Sequence, residues 1–155
     1  MNRLSKLLPP ANVVVDGRAA DKAAALDLAA ALFATGGLDR ARVRASLEDR
    51  EALGSTGLGQ GVAIPHGRLR GLRHAVAAVL RLHDAVPFDA PDGQPVGLLV
   101  ALLVPENARQ EHLELLSELA QMLSDRDLRA ALMAEASAPG LLRLISAWAP
   151  IRPAA

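Results

Sequence analysis

The stretch from Val96 to Val104 is almost continuously apolar and is closed by Pro105. It is too short to cross a bilayer and has no polar alternation, so it reads as a strand covered on both faces. Such a strand needs layers above and below it. The rest of the chain supplies them: Val13 to Val15, followed by Asp16-Gly17, predicts a short buried strand and a turn, and Ala75 to Leu82 predicts a second central strand. Between these runs the spacing turns helical. Ala25, Leu28, Leu32 and Phe33 predict a helix over 21–34, with Asp21 as N-cap and Gly36-Gly37 as the stop; Val43 and Leu47 predict another over 39–53. Leu116, Leu119, Ala120 and Leu123 mark a helical stripe over 108–123. Asp125 or Asp127 is a cap for a helix through Glu135, and Ser137 with Pro139 starts a last one that ends near Trp148. Strands separated by helices predict an α/β fold, a central mixed β-sheet flanked by helices on both faces.

A length of 155 residues fits one domain, expected over 1–155 with its core at about 4–149, and large enough to bury about 70% of its unfolded surface. With no cysteine, the chain has no disulfide, thiol nucleophile or cysteine-based zinc site. Its 17 basic and 17 acidic residues cancel, which gives no net field for nucleic acid. The N-terminal residues lack the apolar core and cleavage pattern of a signal peptide, and no later run is long enough for membrane insertion, so a cytoplasmic protein is expected.

The stretch that carries chemistry is Gly54 to Arg68, in which four glycines precede Val62 to Ile64 and then Pro65, His66 and Gly67. It predicts a flexible loop feeding a brief strand whose exit presents one imidazole, with Gly67 sparing a Cβ beside it where a bulky anion needs room. Arg68, Arg70, Arg73 and His74 then read as a polar connector. The glycines lack a Gly-Lys-Ser/Thr ending and precede the strand, which argues against nucleotide binding. Ser55 misses the Gly-x-Ser-x-Gly spacing of a hydrolase elbow, and the histidines lack the close pairing of a helical metal motif; His74 and His83 read as surface residues. A neutral imidazole at His66 is suited to nucleophilic attack on a phosphoryl group, provided donors offset the added charge. Glycine-loop N–H groups including that of Gly57, the hydroxyls of Ser55 and Thr56, the Arg50 guanidinium and a second histidine are such donors. Each has a plainer reading too: loop capping for the hydroxyls, a dipole-favoured helix end for Arg50, and a packed boundary position for His112. Phosphoryl transfer depends chiefly on positioning and charge compensation, so no cofactor and no metal are expected.

The segment from Arg50 to Gly57, then Gly61-Val62-Ala63-Ile64-Pro65-His66-Gly67, resembles the enzyme IIA domain of the fructose/mannitol class of the bacterial phosphoenolpyruvate-dependent phosphotransferase system. The likeness continues through Phe88-Asp89-Ala90, Pro95-Val96, Leu102 to Pro105 and His112-Leu113, and so spans nearly the whole chain. It implies a phosphohistidine at His66, formed at Nε2 with phosphate from an HPr-like phosphocarrier protein, with Arg50 and His112 in the pocket. It is most similar to the nitrogen-regulatory branch, whose regulatory targets include sensor kinases and potassium transport proteins. The sugar-transport branch, which passes phosphate to a IIB domain, is the alternative; Gln60 and Val62, where the family often has asparagine and isoleucine, leave partner preference open. A binding module of this fold that transfers no phosphate, and a metal-dependent hydrolase, are the readings from other classes. Leu58 is a candidate for an apolar rim on which a donor docks.

Overall fold

A computed structural model describes residues 2–149; Met1 and 150–155, the outer residues of the expected domain, lie outside them. The elements in chain order are α1 (Arg3–Lys6), a 3-10 turn (Pro10–Asn12), β1 (Val13–Gly17), α2 (Lys22–Ala34), α3 (Arg40–Ala52), β2 (Gly57–Gly59), β3 (Val62–Ala63), β4 (His66–Leu69), β5 (Val76–Val86), β6 (Val96–Pro105), α4 (Arg109–Leu123), α5 (Arg126–Ala134) and α6 (Ala138–Ala147). The strands form one mixed sheet in the order β1-β5-β6-β3-β2, with β4 also on β6. β1 runs parallel to β5, β5 antiparallel to β6, and both β3 and β4 parallel to β6.

β6 is the axis of the sheet because side chains on both its faces are buried. Leu98, Val100, Leu102 and Val104 pack with residues of α1, α4, α5 and α6; Leu99, Ala101 and Leu103 pack with α2 and α3. The two-residue period of a strand sorts one apolar run into two cores. Helix starts follow capping chemistry: the carboxylates of Asp21, Asp39 and Asp125 and the hydroxyl of Ser137 accept N–H groups of the first turns of α2, α3, α5 and α6.

Several expectations are corrected. Gly57–Gly59 is a strand, not part of a flexible loop: it forms a hairpin with β3 through Gln60 and Gly61, both at positive φ (58° and 80°), as a two-residue turn of that hand requires. Gln60, a poor residue for that conformation, is tied down by its N–H to the Asp92 carboxylate at 2.9 Å. Residues 66–69 are a strand beside β6, so the polar connector begins only after Leu69; the alternation of charged and apolar residues there hides an edge strand with one solvent face. The buried face of α4 comprises His112, Leu115, Leu119, Met122 and Leu123, whereas Leu116 and Ala120 sit half-buried at its side.

Candidate active site around two buried histidines

β6 pairs along one edge with two short strands in succession. Val62 and Ala63 lie opposite Leu98 and Leu99, and after Ile64 and Pro65 the pairing resumes with His66 opposite Leu102. Alternation along β4 turns Gly67 and Leu69 towards α2 and α3, and His66 and Arg68 the other way, towards α4. Helix α3 lies against β4 because Gly67 allows it: a Cβ there would collide with Ser46 Oγ and lie 3.0 Å from the Ser46 carbonyl. Ser46 also donates to the Arg68 carbonyl at 2.7 Å. Gly67 is therefore needed for helix packing, a demand the sequence reading did not include.

This packing brings the last turn of α3 and the first turn of α4 to one place. His66, His112, Arg50 and Arg68 line a single open cavity of about 670 Å³, together with Arg42 and Arg70. The two rings meet edge to face, with centroids 5.3 Å apart and planes at 65°. Both residues are more than nine-tenths buried. Arg50 is aligned by its own loop, its Nη1 donating to the Gly54 carbonyl at 2.9 Å.

The protonation of the two rings follows from their partners. His66 Nδ1 lies 2.7 Å from the Ile64 carbonyl, which can only accept, so the ring hydrogen is on Nδ1 and Nε2 keeps its lone pair. Ile64 is available for this because Pro65 holds it extended and supplies no N–H of its own. Burial holds the His66 pKa below the ordinary imidazole value; the Arg50 charge lowers it further, while the bond to Ile64 and the Glu51 carboxylate act in the opposite direction. His112 is lowered as well, by burial first and then by His66, Arg68 and Arg50. Both rings are therefore neutral at pH 7. His112 Nε2 is buried without a hydrogen-bond partner, the sole side-chain nitrogen or oxygen in that condition among the described residues. An orphaned polar atom costs about 1–3 kcal/mol.

The remaining residues singled out from sequence lie elsewhere. The Ser55 hydroxyl donates to the Phe88 carbonyl at 2.6 Å and accepts the Gly57 N–H at 3.0 Å; the Thr56 hydroxyl donates to Glu51 at 2.6 Å. These donors are engaged within the loop, and Ser55, Thr56 and Gly57 do not line the cavity, whereas Gly67 does. Leu58 is 39% exposed but also lies outside the lining; Leu53, in the wall, and Leu113, beside His112, are the larger exposed apolar side chains at this end. Arg68, a lining residue the sequence reading placed in a connector, was detectable from its two-residue spacing to His66. No group of three or more His, Asp or Glu side chains fit to hold a metal ion occurs among the described residues, nor any helix long and apolar enough to cross a membrane.

Comparison with known proteins gives the family and the fold. Residues 6–148 match the family described as phosphoenolpyruvate-dependent sugar phosphotransferase system, EIIA 2. A nitrogen regulatory protein of Pseudomonas aeruginosa is 43% identical over 147 residues, which cover 94% of this chain and 96% of that one. The crystal structure of nitrogen regulatory protein IIA-Ntr from Neisseria meningitidis superposes with a TM-score of 0.88 at 44% identity, covering 93% of this chain and 99% of the other. The mannitol IIA of Escherichia coli shares the fold at a TM-score of 0.73 and 23% identity, over 88% of this chain and 97% of that one. The chain belongs to the type 2 enzyme IIA family of the phosphoenolpyruvate-dependent phosphotransferase system and is a phosphotransferase component.

Proposed function

We propose that the protein is a cytoplasmic phosphohistidine carrier of the nitrogen-regulatory branch, a single domain that accepts a phosphoryl group on His66 and controls partner proteins through its phosphorylation state. One observation carries this reading: the Ile64 carbonyl fixes the hydrogen of His66 on Nδ1 and leaves a neutral, unprotonated Nε2 at the cavity. In the reaction the Nε2 lone pair bonds to phosphorus as the bond from phosphorus to the HPr-like donor breaks, its electron pair leaving with the donor. The added oxygens meet the Arg50 guanidinium, Arg68 and the His112 ring, which enters neutral and donates a hydrogen bond without carrying a permanent charge. Ser55 and Thr56 then serve by shaping the loop rather than by touching phosphate. Phosphorylation places nearly two negative charges at a rim that carries Leu53 and Leu113, enough to change partner affinity without a change of fold. Sensor kinases and potassium transport proteins are the targets this branch suggests.

Incubation with phosphoenolpyruvate, enzyme I and the HPr-like donor adds one acid-labile phosphate to the wild type and none to His66→Ala. An unmodified wild type in the presence of demonstrably active donors sinks the reading and favours a binding module that transfers no phosphate. The sugar-uptake alternative has its own support, since a fructose-specific EIIABC component of Bacillus subtilis is 32% identical over 108 residues, 70% of this chain and 17% of that one. Efficient onward transfer of the label to a IIB domain would favour that branch.

A further inference from the structure

Behind the reactive ring runs a continuous series of hydrogen bonds that begins at an ion pair whose carboxylate is buried. Glu51, on the last turn of α3, is 8% exposed and takes Lys22 Nζ of α2 at 2.9 Å. The same carboxylate accepts both donors of Thr56, the backbone N–H at 2.9 Å and the hydroxyl at 2.6 Å. The Thr56 carbonyl in turn accepts the Ile64 N–H at 3.0 Å, and the Ile64 carbonyl accepts His66 Nδ1–H at 2.7 Å. No link in this series is a sheet bond to β6. The carbonyls of Gly61 and Pro65 face β6 and accept from Leu98 and Leu102, so both polar groups of Ile64 face the other side, where its N–H donates to Thr56 and its carbonyl accepts from the imidazole.

We infer that Glu51 is a positioning residue for the reactive histidine: by holding Thr56 through two bonds it fixes the Ile64 backbone, and thereby decides which nitrogen of His66 carries the hydrogen. Buried carboxylates are costly unless paired and fully bonded. A Lys22–Glu51 pair engaged at both carboxylate oxygens meets that condition. Lys22 keeps the anchor in place, lying 4.7 Å from the centre of the Phe88 ring and 3.5 Å from Asp89, and so ties the loop at residues 88–89 to the same point. Glutamine at position 51 offers one acceptor oxygen in place of two and no charge for Lys22, so the ion pair is lost and the Thr56 hydroxyl has to turn and accept from the amide, a weaker hold than a carboxylate. With Ile64 free to turn, the ring loses the one partner that distinguishes its two nitrogens.

The kinetic part of this inference rests on the phosphoryl-acceptor reading above; the tautomer does not. The test is long-range 1H–15N correlation of His66 at neutral pH in the full chain as wild type, Glu51→Gln, Thr56→Val and Thr56→Ser, beside rates of phosphate uptake from the phosphorylated HPr-like donor. The wild type and Thr56→Ser, which keeps both donors, show the Nδ1–H form alone. Glu51→Gln and Thr56→Val show a measurable Nε2–H population, with uptake at saturating donor slowed roughly tenfold and the half-saturating donor concentration unchanged. Folded Glu51→Gln and Thr56→Val proteins that retain the wild-type tautomer overturn the inference and leave Glu51 a structural residue. If Glu51→Gln does not fold, Thr56→Val against Thr56→Ser decides alone. A wild type that takes no phosphate removes the functional reading, while the tautomer comparison still decides this one.

Discussion

The two edges of β6 behave differently. Along one, β5 pairs antiparallel from Leu103–Val76 through Leu98–Arg81, an uninterrupted ladder whose side chains fill both cores. Along the other, the same strand is shared by β3 and β4, and between them Ile64 directs its N–H to Thr56 and its carbonyl to the His66 ring. Along the continuous edge the backbone groups stay within the sheet; along the other, the Ile64 carbonyl is given to a side chain. The site lies beside a gap in the pairing where Pro65, whose carbonyl still accepts from Leu102, has no N–H to give β6.

That contrast is open to attack from both sides. Leu80 of β5, buried and opposite Leu99, belongs to the continuous edge. Leu80→Ala is expected to lower stability by about 2–5 kcal/mol in a denaturant titration while the tautomer of His66 in the folded protein stays unchanged. A shifted tautomer would show that the two edges are not separable. Arg50→Ala probes the other edge: phosphate uptake slows by about a hundredfold or more, with a loss of stability of only about 1 kcal/mol from the bond to the Gly54 carbonyl. An equal loss in both quantities would make Arg50 a cap and nothing more. Gly67→Ala lies between, at about 1–3 kcal/mol, because the new Cβ meets Ser46 and pushes α3 off β4; adding Ser46→Ala restores part of the loss by removing the nearest atom.

The smallest effect is in pH. Both rings have native pKa values below the ordinary imidazole value of 6.5, so the unfolded chain binds more protons on the acid side. The stability they contribute is complete above about pH 6.5 and is lost as pH falls through their lowered native values. Denaturant midpoints between pH 7 and 5 should fall less steeply in the His66→Gln, His112→Gln double variant than in the wild type. An unchanged slope would mean that neither ring is held neutral by its surroundings.

The continuous edge was legible in the sequence because an unbroken apolar run between prolines has few other folds to enter. Helix ends were legible too, since Asp21, Asp39 and Ser137 bond locally. What lay hidden depends on contacts between distant residues. Nothing near Gly67 shows that Ser46 will press against it, and nothing near Ser55 or Thr56 shows that Phe88 and Glu51 will engage their hydroxyls. β4 was hidden because Arg68 interrupts its apolar residues, though its spacing from His66 already placed both on one side. Pro65 was read as the end of a strand; it is a gap within one edge, and only the position of β6 reveals the difference.

The central claim is that His66 receives phosphate through Nε2 because Ile64 occupies Nδ1. Long-range 1H–15N and 31P spectra of the protein after incubation with enzyme I, the HPr-like donor and phosphoenolpyruvate test it directly. The account predicts phosphorus on Nε2 of residue 66 with the hydrogen still on Nδ1. Phosphorus on Nδ1, or an unmodified His66 beside active donors, would contradict it.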